Sequence, residues 1–195
     1  MRSVILTERL TLAPLGKEDA PTLIALLRDP GVNGTYMVPD LDTPDARNAL
    51  FDRFYAFTHR EDRFARGIYL DGRLIGMIHD VGMEEGEVEL GWFVDPASRG
   101  RGFAPEALAA AVRELFAEGF RVIKAGAFTE NAASLRVMEK CGMRPTGERE
   151  IVSYRGRDRE CVYTAITVAP YFYCYDRESA KKAIDKYIKE DSYEE

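Results

Sequence analysis

Arg99-Gly100-Arg101-Gly102-Phe103-Ala104 is the stretch of this 195-residue chain whose residue types point most directly to chemistry. It follows an apolar strand pattern ending at Val94 and precedes a helical pattern with Pro105 in its first turn. Two glycines allow a tight turn and a close approach of backbone to a ligand. Successive N–H groups and the positive end of the helix then form an anion site, to which Arg99 and Arg101 add charge that pairs with phosphate. Two nucleotide motifs do not fit. A dinucleotide fingerprint needs glycine where Pro105 stands, and a P-loop needs a Gly-Lys-Ser/Thr end that is absent. Farther along, Asn131 heads a second helix with Ser134 in its first turn, a position where asparagine also serves as a plain N-cap. The two histidines, His59 and His79, are too few and too scattered for a histidine metal site, so no metal is expected.

Composition narrows the class. The chain is 46% hydrophobic and 31% charged with 16 Gly and 9 Pro, which excludes a disordered tail, a collagen-like rod and a disulfide scaffold. Lys+Arg 27 against Asp+Glu 33 gives a net charge of −6, which repels a nucleic-acid backbone and suits a cationic partner better. Cys141, Cys161 and Cys174 are odd in number and widely spaced, as reduced cytosolic thiols are. Residues 1–8 become charged too early for a secretory leader, and no run approaches the ~20 apolar residues of a membrane span. A cytoplasmic protein with no membrane and no nucleic-acid partner is the expectation.

The elements that must position these residues are readable in outline. Leu10, Leu12 and Leu15 mark an opening strand. A helix from Lys17 ends at Asp29-Pro30-Gly31, and another opens at Thr43-Pro44-Asp45 with Ala46, Leu50, Phe54 and Phe57 on one face. Ile68–Leu70 and Leu74–Ile78 flank the hairpin signal Asp71-Gly72, and a second hairpin turns at Glu84-Glu85-Gly86 into Val88–Val94. Then come a helix to Gly119, a strand over Val122–Phe128, a helix over Asn131–Lys140, and a hairpin of Glu150–Tyr154 with Glu160–Thr167. This order predicts an α+β (mixed α/β) domain over residues 1–168. Residues 169–195 read as an aromatic segment, Tyr171, Phe172, Tyr173 and Tyr175, followed by an amphipathic helix that docks on the domain or on a second subunit of a homodimer.

Four segments taken in order resemble the GNAT superfamily of N-acetyltransferases, and within it the RimJ/RimL-like branch. They are Thr7-Glu8-Arg9-Leu10-Thr11-Leu12, Glu89-Leu90-Gly91-Trp92, Arg99-x-x-Gly102-x-Ala104 with Glu106-Ala107-Leu108, and Asn131-x-x-Ser134 leading to Glu139-Lys140-x-Gly142. The resemblance covers about residues 5–168. It implies the acyl-coenzyme A N-acyltransferase fold, a central twisted mixed sheet of about six to seven strands flanked by helices, with a C-terminal helix added here. It also implies acetyl-coenzyme A as cosubstrate, its pyrophosphate in the loop Arg99, Gly100, Arg101, Gly102, Phe103 and Ala104. Trp92, Phe93 and Val94 would splay from the Val122–Phe128 strand to take the pantetheine arm, and Asn131 would hydrogen-bond it.

The implied reaction is direct acetyl transfer to a primary amine of a small molecule or a protein N-terminus. A protonated amine cannot attack, so a base is needed. Glu89, on the strand face opposite Val88 and Leu90, stands where the family places a glutamate; His79, Asp80 and Glu87 are alternatives. A backbone N–H near Phe93 or Val94 would serve the oxyanion. Many family members protonate the leaving thiolate with a tyrosine at the position of Met138; the RimJ/RimL-like branch suggests Ser134 at the sulfur instead. The departure at Met138 keeps a second reading open, a non-catalytic acyl-coenzyme A-binding or interaction module. Tyr36, Met37, Phe54, Tyr55 and Tyr154 are candidate walls of the acceptor site.

Overall fold

The computed structural model describes residue 1 and residues 3–168. Its sheet has eight strands: β1 (Ile5–Leu6), β2 (Leu10–Ala13), β3 (Ala65–Leu70), β4 (Arg73–Glu84), β5 (Glu87–Val94), β6 (Val122–Phe128), β7 (Arg144–Tyr154) and β8 (Arg157–Thr167). The spatial order is β1-β2-β3-β4-β5-β6-β8-β7, antiparallel throughout except for β5 beside β6. That parallel step requires a crossover, which α4 (Phe103–Ala117) supplies. The other helices are α1 (Ala20–Arg28), α2 (Pro30–Asn33), α3 (Pro44–Thr58) and α5 (Ala132–Lys140). None of the described helices is long and apolar enough to cross a membrane.

Two apolar layers sandwich the sheet. On one face Leu108, Val112 and Leu115 of α4 pack with Ile78, Val88, Leu90 and Ile123. On the other, α1 and α3 bring Leu23, Leu27, Leu50 and Phe54 against Met77 and Phe93. Alternation along β5 therefore sends Val88, Leu90 and Val94 to the α4 layer and Phe93 to the other.

The mixed sheet and the hairpins match the sequence expectation, with local differences. Eight strands form rather than six or seven, because the opening segment doubles back: Thr7 N–H donates to the Leu10 carbonyl (2.9 Å), creating β1 and β2. At the expected break after Arg28, the extended Asp29 ends α1 and its carboxylate caps α2 through Gly31 N–H (2.7 Å). Strand β7 begins at Arg144 rather than Glu150, since a bulge between Pro145 and Arg149 lets the pairing with β8 resume. The anticipated Asp71-Gly72 turn has both residues at positive φ, as a two-residue hairpin requires. Cys141 and Cys161 are buried thiols. The aromatic segment, the amphipathic tail helix and Cys174 lie outside the described residues.

One polar cluster ties the sheet edge to the start of α4. Glu106 accepts from Thr7 Oγ1 (2.6 Å), Arg9 N–H (2.8 Å) and Arg9 Nε (2.7 Å), while Arg9 Nη1 donates to the Arg101 carbonyl (2.9 Å). Burial opposes ionisation of Glu106, but these donors outweigh it and hold the carboxyl below its ordinary range. Glu106→Ala is expected to cost about 1–3 kcal/mol, seen as a fall of several degrees in Tm. An unchanged Tm would show that the cluster adds nothing to stability.

Candidate active site

The site originates in a short strand pairing. β5 and β6 are in register only at Glu87–Val122, Val88–Ile123 and Glu89–Lys124. Beyond Glu89 the two strands diverge, each still paired on its far side, β5 to β4 and β6 to β8. A bulge at Val81, between Asp80 and Gly82, breaks the β4–β5 register at the same level and bends the strand. The facing edges of Gly91–Val94 and Gly126–Ala127 thus border an open cavity of about 320 Å³. Asp95 N–H donates to the Ile75 carbonyl (2.7 Å), so by two-residue alternation the Val94 N–H turns away from β4 and into this gap. Buried backbone groups need partners, and strand edges that part no longer supply them to each other.

At its outer end the cavity meets the start of α4. Gly100 and Gly102 take positive φ (75° and 85°), and Gly102 is the helix N-cap without a side chain to occupy the first N–H groups. A side-chain-free, positively polarised helix start is suited to an anion. Arg99 lines the cavity while its guanidinium donates to the Gly31 carbonyl (2.8 Å) and the Val94 carbonyl (3.2 Å). Arg101 does not line it; its guanidinium stacks over Phe103, 4.8 Å from the ring centroid. Arg136 and Lys140, one turn apart on α5, also face the cavity. Sequence reading passed over them, although with Ala133 and Val137 they form one helical face.

The opposite wall is the start of α5. Asn131 caps it, its Oδ1 accepting from Ser134 N–H (3.2 Å) while its Nδ2 donates to Ser134 Oγ (3.0 Å). Ser134 Oγ accepts there, which leaves its own proton to donate into the cavity that it lines. Met138 is buried in the α4 layer and offers no acid.

Glu89 stands at the closed end of the gap, in the last β5–β6 pair, and is half-buried. Burial raises its pKa, opposed by Lys124 and reinforced by Glu150, Glu148 and Glu87. Lys124 itself pairs with Glu148 (2.7 Å) and Glu87 (3.4 Å). Asp80 is buried against Arg63 and accepts from Phe64 N–H (2.8 Å), a structural engagement. Of the candidate acceptor walls, Tyr36 lines the cavity and Met37 is exposed, whereas Phe54 is core. Tyr154 Oη donates to the Asn33 carbonyl (2.8 Å) and Arg159 to the Gly34 carbonyl (2.6 Å), so the β7–β8 hairpin clasps the segment carrying Tyr36.

The cavity therefore gathers Trp92, Phe93, Val94, Arg99, Gly100, Gly102, Phe103, Ala104, Asn131 and Ser134, but neither Arg101 nor Glu89 lines it. Among the described residues there is no group of His, Cys, Asp and Glu able to hold a metal.

Known proteins share this fold. Residues 9–144 match the acetyltransferase (GNAT) domain. No curated protein matches the chain. A GNAT-family acetyltransferase from Bacillus anthracis is 25% identical, with a TM-score of 0.71 over 84% of this chain and 98% of that one. RimJ of Mycobacterium smegmatis, in complex with CoA-disulfide, is 20% identical, with a TM-score of 0.71 over 82% of each chain. A ribosomal-protein-serine acetyltransferase described from Vibrio cholerae is 16% identical, with a TM-score of 0.69 over 86% of this chain and 99% of that one. A gap that ends at a glycine-capped helix start, in a chain matched across most of its length, places it among the GNAT acetyltransferases, enzymes that use acetyl-coenzyme A.

Proposed function

We propose that the protein transfers acetyl from acetyl-coenzyme A directly to a primary amine, of a small molecule or a protein N-terminus, in the manner of the RimJ/RimL-like branch. The divergence of β5 from β6 after Glu89 carries this reading, because it leaves strand edges for an extended pantetheine beside an anion site for the pyrophosphate. Arg136 and Lys140 supply further charge for the phosphates. Val94 N–H, turned into the gap, would serve the thioester oxygen as it gains charge. The amine nitrogen bonds to the carbonyl carbon, the carbon–sulfur bond breaks, and the sulfur leaves as thiolate. Glu89 takes the amine proton through water from the closed end of the gap. Ser134 Oγ–H stabilises the thiolate, which takes its proton from solvent. A thiol of pKa ~8.5 needs little more assistance.

Release of free coenzyme A thiol, measured against N-terminal peptides, polyamines, aminoglycosides and amino acids, tests the reading. Acceleration by one class is expected. Tight acetyl-coenzyme A binding with no turnover across the panel would favour a binding module, and no binding at all would overturn the assignment.

Glu89→Gln is expected to lower kcat about 10²-fold or more, with acetyl-coenzyme A affinity changed less than twofold. Glu89 must be ionised to accept a proton and burial raises its pKa, so wild-type kcat should fall with decreasing pH while still above the usual carboxylate range. The acid limb should flatten in Glu89→Gln; an identical limb would assign it to another group. Ser134→Ala should reduce kcat roughly tenfold, about one hydrogen bond to a charged group, and an unchanged kcat would reduce Ser134 to a helix residue.

A further inference from the structure

We propose that Tyr36 and His79 form an amine-docking pair, in which His79 fixes the Tyr36 hydroxyl so that its oxygen accepts a hydrogen bond from the acceptor amine. The inference rests on the acetyltransferase reading and names a part of the site that the motifs do not include.

The bonding pattern sets the direction of every proton. His79 Nδ1 lies 2.8 Å from its neighbour's carbonyl, Asp80 O, so Nδ1 carries the hydrogen and Nε2 presents a lone pair. Nε2 meets Tyr36 Oη, and the tyrosine is therefore the donor. With its only proton committed to His79, Tyr36 Oη can act toward the cavity solely as an acceptor.

His79 stays neutral in this role. Burial pushes its pKa down, and the nearby Arg53 and Arg63 act in the same direction against the opposing carbonyl and carboxylate of Asp80. The rings of Phe54 and Phe57 pack at 5.7 and 5.9 Å from the imidazole, closing its other sides.

The pair meets the cavity through Tyr36, which lines it, with His79 behind. Gly91 is the cross-strand partner of His79 and borders the cavity. A Cβ on Gly91 would stand 3.8 Å from both Cε1 and Nε2 of His79 and 3.0 Å from a methyl of Val81. Glycine at this position leaves room for Val81 and the His79 imidazole to lie close against β5. The Tyr36 ring packs on Phe93, with centroids 4.8 Å apart, adjacent to the Val94 N–H proposed for the thioester oxygen.

An attacking primary amine carries two N–H groups and one lone pair. With the lone pair directed at the carbonyl, one N–H bonds Tyr36 Oη and the other faces the water leading to Glu89. A secondary amine has a single N–H and cannot satisfy both. The pair thus selects primary amines by hydrogen-bond count.

The test measures binding to the enzyme–coenzyme A complex by calorimetry at about pH 9, where an α-amino group of pKa ~8 is mostly neutral. The probes are an alanyl peptide amide, a glycyl peptide amide and an N-methylalanyl peptide amide. Tyr36→Phe should weaken the preferred primary amine roughly tenfold, with coenzyme A affinity within twofold, and should shrink the preference over the N-methyl analogue by the same factor. His79→Leu removes the acceptor that fixes the hydroxyl and should behave likewise, whereas His79→Gln, which can place an oxygen near the Nε2 position, should recover much of the loss. A merely structural role for His79 would not give this recovery together with a changed primary-to-secondary ratio. Wild type that binds none of the amines, or Tyr36→Phe that binds them unchanged, overturns the pair. Wild type that binds but never acetylates overturns the acetyltransferase reading alone.

Discussion

The backbone hydrogen bonds that β5 and β6 do not make with each other determine the rest of this molecule. Three residue pairs hold the strands in parallel register, and past Glu89 and Lys124 their facing edges part. An unpaired edge inside a protein is costly unless something covers it. Here the two edges face one narrow opening that a linear, amide-containing chain can fill by adding itself as a strand. Gly91 and the bulge at Val81 lie at the level where this opening begins.

Charge is distributed along the same axis. The chain is acidic overall, yet the outer end of the gap collects Arg99, Arg136 and Lys140 about the start of α4. Carboxylates occupy the closed end, with Glu87, Glu89, Glu148 and Glu150 grouped around a single lysine, Lys124. Negative groups are thereby favoured at one end of the cleft and positive groups at the other. Tyr36, His79 and Phe93 occupy the zone between, where burial lowers the pKa of the imidazole.

The anion loop and the strand–helix order were legible because glycine, arginine and hydrophobic period each carry a local physical meaning. The N-cap role of Asn131 was legible for the same reason. Arg136 and Lys140 were readable in principle from their helical spacing with Ala133 and Val137, but only knowing which face of α5 meets the cavity singles them out. The tie of Tyr36 to His79, 43 positions apart, has no local signature. Nor does Glu106 announce that it holds Thr7 and Arg9 from nearly a hundred residues away. Divergence of β5 from β6 came through the family resemblance, since nothing in either strand's own pattern says where pairing stops.

The parallel β5–β6 step also bears on how the chain folds. Every other neighbouring pair of strands is antiparallel, and the hairpins β3–β4, β4–β5 and β7–β8 close through short turns. The β5–β6 contact instead waits for the loop after Val94 and the whole of α4 to dock, a slower closure because more chain entropy is lost before the contact forms. The two walls of the cleft therefore meet late, after most of the local sheet can form. A ligand spanning both walls binds only the closed topology, so it stabilises the native chain by mass action at this parallel junction.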